Sequence, residues 1–331
     1  MTTLLVASSG GHLQQLHHIH RRLPGVDGPF HWVTFDTSQS RSLLADVPRL
    51  FVPFVGGRDP IQVARNLPYA RRILREFRPD TMVSTGSAVA LPYFALGAAK
   101  GVRCIYIESA ARAEGPSMTG GLIARLPGVE LYTQHPQWQS DKWAFGGSVF
   151  DVFESEPDRE IEFPQIKRVV VTLGTYRGFG FRRLLERMIK LLPPTAEVLW
   201  QTGDTDPSGL GINAHEAIPS RELAVAMREA DVVVAHAGVG SALAAFEAGK
   251  CPVLVPRRLE QNEHIDDHQV QIATALSESG LAVSPSVEHL DEASLVAAAS
   301  RRIVVRENGG EFRLRAPASA AARASRAAAR Q

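Results

Sequence analysis

Two short stretches combine histidine with glycine in an arrangement that allows chemistry. In the first, Gly10-Gly11-His12 follows an apolar run and precedes a helix-like pattern. In the second, His236 ends a β-branched run, and Gly238, Gly240 and Ser241 lead into another helix-like pattern. Glycine lets a backbone approach a ligand closely. A helix N-terminus adds unpaired N–H groups at the positive end of a dipole. The second stretch therefore reads as a site for a nucleotide diphosphate, with His236 and Ser241 hydrogen-bonding its oxygens. A capped helix start with a buried histidine is the alternative. The first stretch reads as a phosphate cradle, as a turn that presents a catalytic base, or as a turn alone. Deprotonating an attacking hydroxyl calls for a base near neutral pKa, and histidine supplies one. His12 is the favoured base, against a role in positioning phosphate or acceptor and a purely structural one. His17, His18 and His20 read as solvated helix residues.

A third stretch, residues 260–269 (EQNEHIDDHQ), is dense in Glu, His, Asp and Gln. Such a set could bind a metal, could start a helix with Asp266 and Asp267 near the dipole, or could match the hydroxyls of a sugar. No other cluster supplies metal ligands. Asp204-Thr205-Asp206 sits beside Pro207 in loop-like sequence rather than at a strand end, so no metal is expected. Ser84-Thr85-Gly86 ends an apolar run before an apolar helix, where it could receive an anionic or hydroxylated acceptor or form an ordinary turn. Glu108 ends the run CIYIE and is expected to point into a cleft. There it would orient a histidine or an acceptor hydroxyl, or pair with Arg112 at i+4.

The elements that must position these residues alternate. Strand-like runs cover 4–7, 31–35, 81–84, 104–107 and 130–133, with helical periodicity over 14–23, 63–77 and 91–100. A second series has strands over 168–172, 197–201, 232–235 and 253–255, and helices over 182–192, 221–229, 241–248 and 267–279. Such alternation predicts an α/β protein with parallel sheets covered on both faces. Its 331 residues exceed one comfortable core, so two doubly wound, Rossmann-like domains facing across a cleft are expected. The expected division is residues 1–150, an acidic proline-containing linker over 151–167, a second domain over 168–312, and an Ala/Arg-rich, disordered tail over 313–331. A net charge of +1 gives no electrostatic case for nucleic acid. Cys104 and Cys251 lie in apolar runs and read as buried thiols of a reducing compartment, so a cytoplasmic location is expected. No run reaches the roughly 18 apolar residues of a membrane span.

The region 232–269 resembles the donor-binding region of GT-B nucleotide-sugar glycosyltransferases. It is most similar to the donor subunit of the two-subunit N-acetylglucosaminyltransferase that builds dolichol-linked chitobiose and to bacterial exopolysaccharide relatives. More distantly it resembles the peptidoglycan lipid II-forming N-acetylglucosaminyltransferase. The resemblance implies that His236, Gly238, Gly240 and Ser241 hold the donor diphosphate. It implies that Glu263, His264, Asp267, His268 and Gln269 face the donor sugar, Gln269 foremost. The families place a ribose-binding glutamate eight residues after the motif histidine. Position 244 is alanine here, and Glu247 lies about one helical turn further along the same face. By the same resemblance Gly174 and Thr175 wrap the donor phosphates, Gln201, Thr202 and Gly203 lie near the nucleotide, and the main chain at Ile218 reads uracil.

Residues 83–138 resemble the membrane-associated acceptor subunit of that same enzyme, in STG, IYIESAAR, PSMTGG and YTQHPQW. The two halves would then be fused in one chain. No counterpart of the eukaryotic subunit's membrane anchor stands in the sequence, so contact with a membrane is expected to be peripheral at most. Together these readings predict inverting, metal-independent transfer from a UDP-sugar co-substrate, with no further cofactor. The acceptor would be a lipid-diphosphate-linked sugar or a small metabolite. His12 and Glu108 would serve catalysis, and Gly10, Gly11, Ser84, Thr85 and Gly86 the acceptor. The competing readings are a non-hydrolysing nucleotide-sugar epimerase and a non-catalytic nucleotide-sugar-binding subunit.

Overall fold

The computed structural model describes the chain except residues 57–58, 159–164, 175–177, 265, 307–309 and 316–331. In the first half, β1 (Thr3–Ala7), β2 (Phe30–Phe35), β3 (Arg49–Val52), β4 (Thr81–Gly86), β5 (Arg103–Ile107), β6 (Val129–Thr133) and β7 (Trp143–Phe145) form one parallel sheet. Its spatial order is β3-β2-β1-β4-β5-β6-β7. The helices α1 (Gly11–Ile19), α2 (Ser38–Leu43), α3 (Pro60–Phe77), α4 (Ala90–Ala99) and α5 (Met118–Ile123) connect these strands. β1 and β4 are buried along their whole length, which is why their sequences are continuous apolar or small runs rather than alternating ones. Leu5 and Val83 pack in the layer that holds α1, while Leu4, Val6 and Met82 pack in the layer that holds α3 and α4.

The chain leaves the first sheet through β8 (Phe153–Pro157) and enters the second. There β9 (Arg168–Thr172), β10 (Glu197–Gln201), β11 (Ala214–His215), β12 (Val232–His236) and β13 (Val253–Val255) pair in parallel in the order β11-β10-β9-β12-β13. The helices α6 (Arg182–Leu191), α7 (Ser220–Glu229), α8 (Val239–Glu247), α9 (His268–Glu278) and α10 (Glu292–Ala299) accompany it. In each sheet the strand order reverses beside the first strand, between β1 and β4 and between β9 and β12. Ligands of such sheets bind at the carboxyl ends of the strands that flank this point.

One apolar cluster joins the two halves: Leu13 and Leu16 of α1 belong to the same core as Val239, Leu243 and Phe246 of α8. The two helices run side by side in the same direction. Gly11 approaches Gly240 at their N-termini, and His18 Nε2 lies 2.8 Å from Glu247 Oε1 at their C-termini.

Two expected boundaries shift. Residues 151–167 were expected to be aperiodic linker, yet β8 pairs antiparallel with β14 (Arg301–Val305). The acidity of the segment matches its partner strand and the residue after it: Glu154 meets Arg306 at 2.6 Å and Glu156 meets Arg302 at 3.2 Å, exposed pairs that add to the backbone ladder. After β14 the chain returns to the first half. Phe312 is fully buried, its N–H donates to the Arg22 carbonyl, and the Arg313 N–H donates to Gly146. The tail expected to start at 313 is therefore docked through Arg315, whose N–H donates to the Tyr132 hydroxyl. Residues 316–331 of that tail lie outside the described residues.

Candidate active site

The two switch points face each other through helix N-termini. Gly10, with φ 87°, caps α1, and Gly238 caps α8; neither helix has a side-chain cap. A Cβ on Gly11 would stand 3.3 Å from the Gly240 nitrogen, and one on Gly240 would stand 3.0 Å from Gln14 Oε1. Larger residues would wedge the halves apart. Two positive dipole ends thus converge where a negatively charged group would be stabilised.

His12 stands in the first turn of α1. Its Nδ1 lies 2.8 Å from the Thr85 carbonyl, and the Thr85 hydroxyl donates to the His12 carbonyl at 2.6 Å. A carbonyl only accepts, so Nδ1 carries the proton and Nε2 keeps its lone pair. Gly86, with φ +115°, makes room for the ring: a Cβ there would meet His12 Cε1 at 3.0 Å. Desolvation moves His12 down to about 4, against the raising effect of the Thr85 bond; Arg112 and His268 nearby lower it further. The imidazole is therefore neutral at pH 7. Of the acceptor turn expected at 84–86, Thr85 and Gly86 form the bed of this histidine, while the Ser84 hydroxyl accepts from the Gly86 N–H.

His236 is built differently. It ends β12, and its ring is hemmed by glycines: a Cβ on Gly238 would lie 2.3 Å from Nε2, and one on Gly174 (φ +68°) would lie 2.6 Å from Cε1. Ser241 Oγ, in the first turn of α8, lies 3.4 Å from Nδ1. Burial first, then the Arg257 charge, pushes His236 down to about 3, so this ring is neutral as well. Thr175 lies outside the described residues. Gln201 ends β10 and donates to Thr172 Oγ1 at 2.9 Å. Its Oε1 accepts from the Ile218 N–H at 3.1 Å, so that main-chain donor is already engaged. The N–H groups of Thr202 and Gly203 donate to His215 and Glu216, tying this turn to β11.

In the stretch 260–269 the expected sugar-facing residues divide into two groups. The buried Glu263 gives both oxygens to Arg183, at 2.8 and 3.0 Å, and accepts from the Arg258 N–H, which makes it an anchor for α6. Gln269 Oε1 accepts from the Arg257 N–H at 3.1 Å, and Asp267 caps α9 while accepting from the Leu259 N–H. His264 and His268 gather on Asp266 Oδ1, and Arg112 of the first half reaches Asp266 Oδ2 at 2.9 Å. The ligand atoms of His264, Asp266 and His268 lie within 4.8 Å of one another, so the metal-binding alternative weighed for this stretch narrows to a two-histidine, one-carboxylate set. Hydrogen bonding from His268 holds Asp266 well below the usual carboxylate range, and desolvation lowers His264 to about 4. The charge of His268 acts on His12, and Arg112 ties the cluster to the first half.

Glu108 departs from the expectation. It does not point into the cleft or pair with Arg112. Its carboxylate is buried, accepts from the Ser109 and Ser117 N–H groups and from the Ser117 hydroxyl, and so fixes the loop before α5. Desolvation raises its pKa. Glu247 stands at the far end of α8 on His18, so its carboxylate serves the contact between halves. Sequence reasoning also missed a buried amide relay behind His12. Gln15 donates to Ser109 Oγ and accepts from the Ala110 N–H and from Gln134, whose own oxygen accepts from the Val149 N–H. Neither Gln15 in α1 nor Gln134 just after β6 carries a periodic signal, and only the fold reveals that the two are buried.

Residues 168–302 match the glycosyltransferase family 28 C-terminal domain. The chain is a GT-B glycosyltransferase. Across 307 residues it is 25% identical to the UDP-N-acetylglucosamine--N-acetylmuramyl-(pentapeptide) pyrophosphoryl-undecaprenol N-acetylglucosamine transferase of Shewanella amazonensis, covering 84% of this chain and 82% of that one. The same-named protein of Christiangramia forsetii is 23% identical over 320 residues, 86% of this chain and 84% of its own. Among solved structures, Acinetobacter baumannii MurG superposes with a TM-score of 0.55 at 18% identity, covering 89% of this chain and 88% of that one. The UDP-GlcNAc 2-epimerase of Methanocaldococcus jannaschii also reaches 0.55, at 12% identity and full coverage of both chains. The GT-B architecture is therefore common to both chemistries. The family match of the second half, together with the glycosyltransferase relatives, favours transfer over epimerisation. Among the described residues no helix is long and apolar enough to cross a membrane.

Proposed function

We propose that this glycosyltransferase moves a sugar from a uridine-diphosphate sugar to a hydroxyl of a lipid-diphosphate-linked acceptor, with inversion and without a catalytic metal. The observation that carries the reading is His12, neutral and with its Nε2 lone pair free of the Thr85 bond, beside the paired N-termini of α1 and α8. The acceptor hydroxyl gives its proton to Nε2 as its oxygen attacks the anomeric carbon. The bond from that carbon to the diphosphate oxygen breaks, and UDP leaves with the bonding pair. A ring held near pKa 4 is by itself a weak base; two donor phosphates bring negative charge that raises it toward the working range. The N–H groups of α8, with Ser241 and His236, stabilise the charge growing on the leaving diphosphate.

His268, Gln269 and the Asp266 cluster meet the sugar, and the 201–203 turn lies by the nucleoside. The names of the relatives make UDP-N-acetylglucosamine the first donor to test, and the sequence resemblance extends the acceptor class to polyprenyl-linked sugars of polysaccharide assembly. Work on such an acceptor places the enzyme at the cytoplasmic face of a membrane by peripheral contact. Calorimetry with UDP and UDP-sugars, followed by product assay on lipid-linked and soluble acceptors with and without EDTA, tests the reading. Micromolar UDP binding and EDTA-insensitive transfer are expected; no uridine nucleotide binding refutes the donor, and loss of transfer with EDTA refutes the metal-free step.

A further inference from the structure

Arg257, just beyond β13, took no part in the sequence reading, yet it is only 1% exposed. Its Nη2 donates to the Leu173 carbonyl at 3.1 Å, and its guanidinium carbon lies 5.7 Å from the centre of the Phe181 ring. Among the described residues, Nε and Nη1 meet no acceptor. A buried, permanently charged group with open donors is strongly unfavourable unless something else neutralises it. The charges of Glu263 and Asp204 offset its burial only in part, and both carboxylates bond other groups: Glu263 gives both oxygens to Arg183, and Asp204 accepts from the Gly178 N–H. His236 adds no negative charge; Arg257 helps to keep it neutral.

The place of this charge identifies its partner. Leu173, which Arg257 holds, precedes Gly174, and Gly174 lies against the His236 ring at the mouth of the α8 N-terminus. A helix N-terminus without a side-chain cap and an arginine with two open donors thus address the same turn. We propose that Arg257 is the buried countercharge of the donor's diphosphate, its Nε and Nη1 donating to phosphate oxygens seated at the N-terminus of α8. This assignment rests on the UDP-sugar reading above. It explains why arginine rather than lysine stands here: a planar guanidinium can hold Leu173 with one nitrogen and turn others to an anion, and it cannot lose its proton on burial. The charge also acts where it is needed in transfer, as negative charge accumulates on the departing diphosphate.

The test compares UDP with uridine, which lacks the phosphates, by calorimetry on the full chain and on Arg257→Met and Arg257→Lys. In Arg257→Met, UDP affinity is expected to fall about 10- to 100-fold, the range for a charge-assisted hydrogen bond, while uridine affinity stays within about twofold. Arg257→Lys should fall between. The melting temperature of ligand-free Arg257→Met should equal or exceed that of the parent, since an uncompensated charge has been removed. Undiminished UDP affinity in Arg257→Met overturns the assignment. So does an equal loss for UDP and uridine with a lowered melting temperature, which marks a structural role. If the parent protein binds neither ligand, the UDP-sugar reading itself has failed, and that is visible before any variant is made.

Discussion

The turn at Gly10-Gly11-His12 and the turn from His236 to Ser241 use the same parts in reverse order. In the first, the glycines come before the histidine, so the ring sits on the helix and is steadied from outside by the Thr85 carbonyl. In the second, the histidine ends the strand and the glycines follow, so the ring is wedged among Gly174, Gly238 and Ser241. One arrangement engages Nδ1 and leaves the Nε2 lone pair outside that bond. The other presents backbone N–H groups and a hydroxyl around a confined ring. On the proposed reading, two copies of one local device serve proton removal in one half and anion binding in the other.

The sharpest way to break this division is His12→Ala. Transfer should fall about 10²- to 10⁴-fold, the usual contribution of a general base, while UDP affinity stays within about twofold. Equal losses in both would merge the two roles. Next, His236→Ala should weaken UDP binding about tenfold, the effect of losing one hydrogen bond to a charged group. Affinity equal to that of the parent would leave the diphosphate to the backbone and Arg257 alone.

Both histidines also link stability to pH. Each has a folded pKa below the unfolded value of 6.5, about 4 for His12 and about 3 for His236. The unfolded chain therefore binds their protons first. Their contribution is fully present above about pH 6.5 and is lost progressively as pH falls toward the folded values. The melting temperature should drop by about 5 °C or more between pH 7.5 and 5, and His236→Asn should flatten that slope. A slope unchanged in the variant would place the acid sensitivity elsewhere. The smallest effect is expected from Glu247→Gln. Its partly exposed pair with His18 is worth at most about 1 kcal/mol, and UDP affinity should not change. A clear loss of UDP affinity would return Glu247 to the ribose.

Much of this was legible because buried parallel strands write themselves as apolar runs. The strand ends at Ala7, Gly86, Thr172, Gln201 and His236 carry the small and polar residues that break those runs. The edge strand β3, half exposed, and the three-residue β7 lack that signature and were not anticipated. Side chains whose meaning depends on a distant partner were also hidden. Glu108 looked like a cleft acid until its bonds to Ser117 were seen, and the acidity of β8 looked like linker until its arginines in and after β14 were placed. Arg257 gave no sequence signal at all, because an arginine after a strand is ordinarily exposed and only its depth marks it.

The return of the chain after β14 has a mechanical consequence. The halves are joined at two places, outward through β8 and back through the segment that seats Phe312 on Gly146 and Tyr132. A body attached by a single pin swivels freely, whereas one attached by two turns about the line between them. A second attachment removes freedom that one alone would leave, and the seat of Gly11 against Gly240 depends on both.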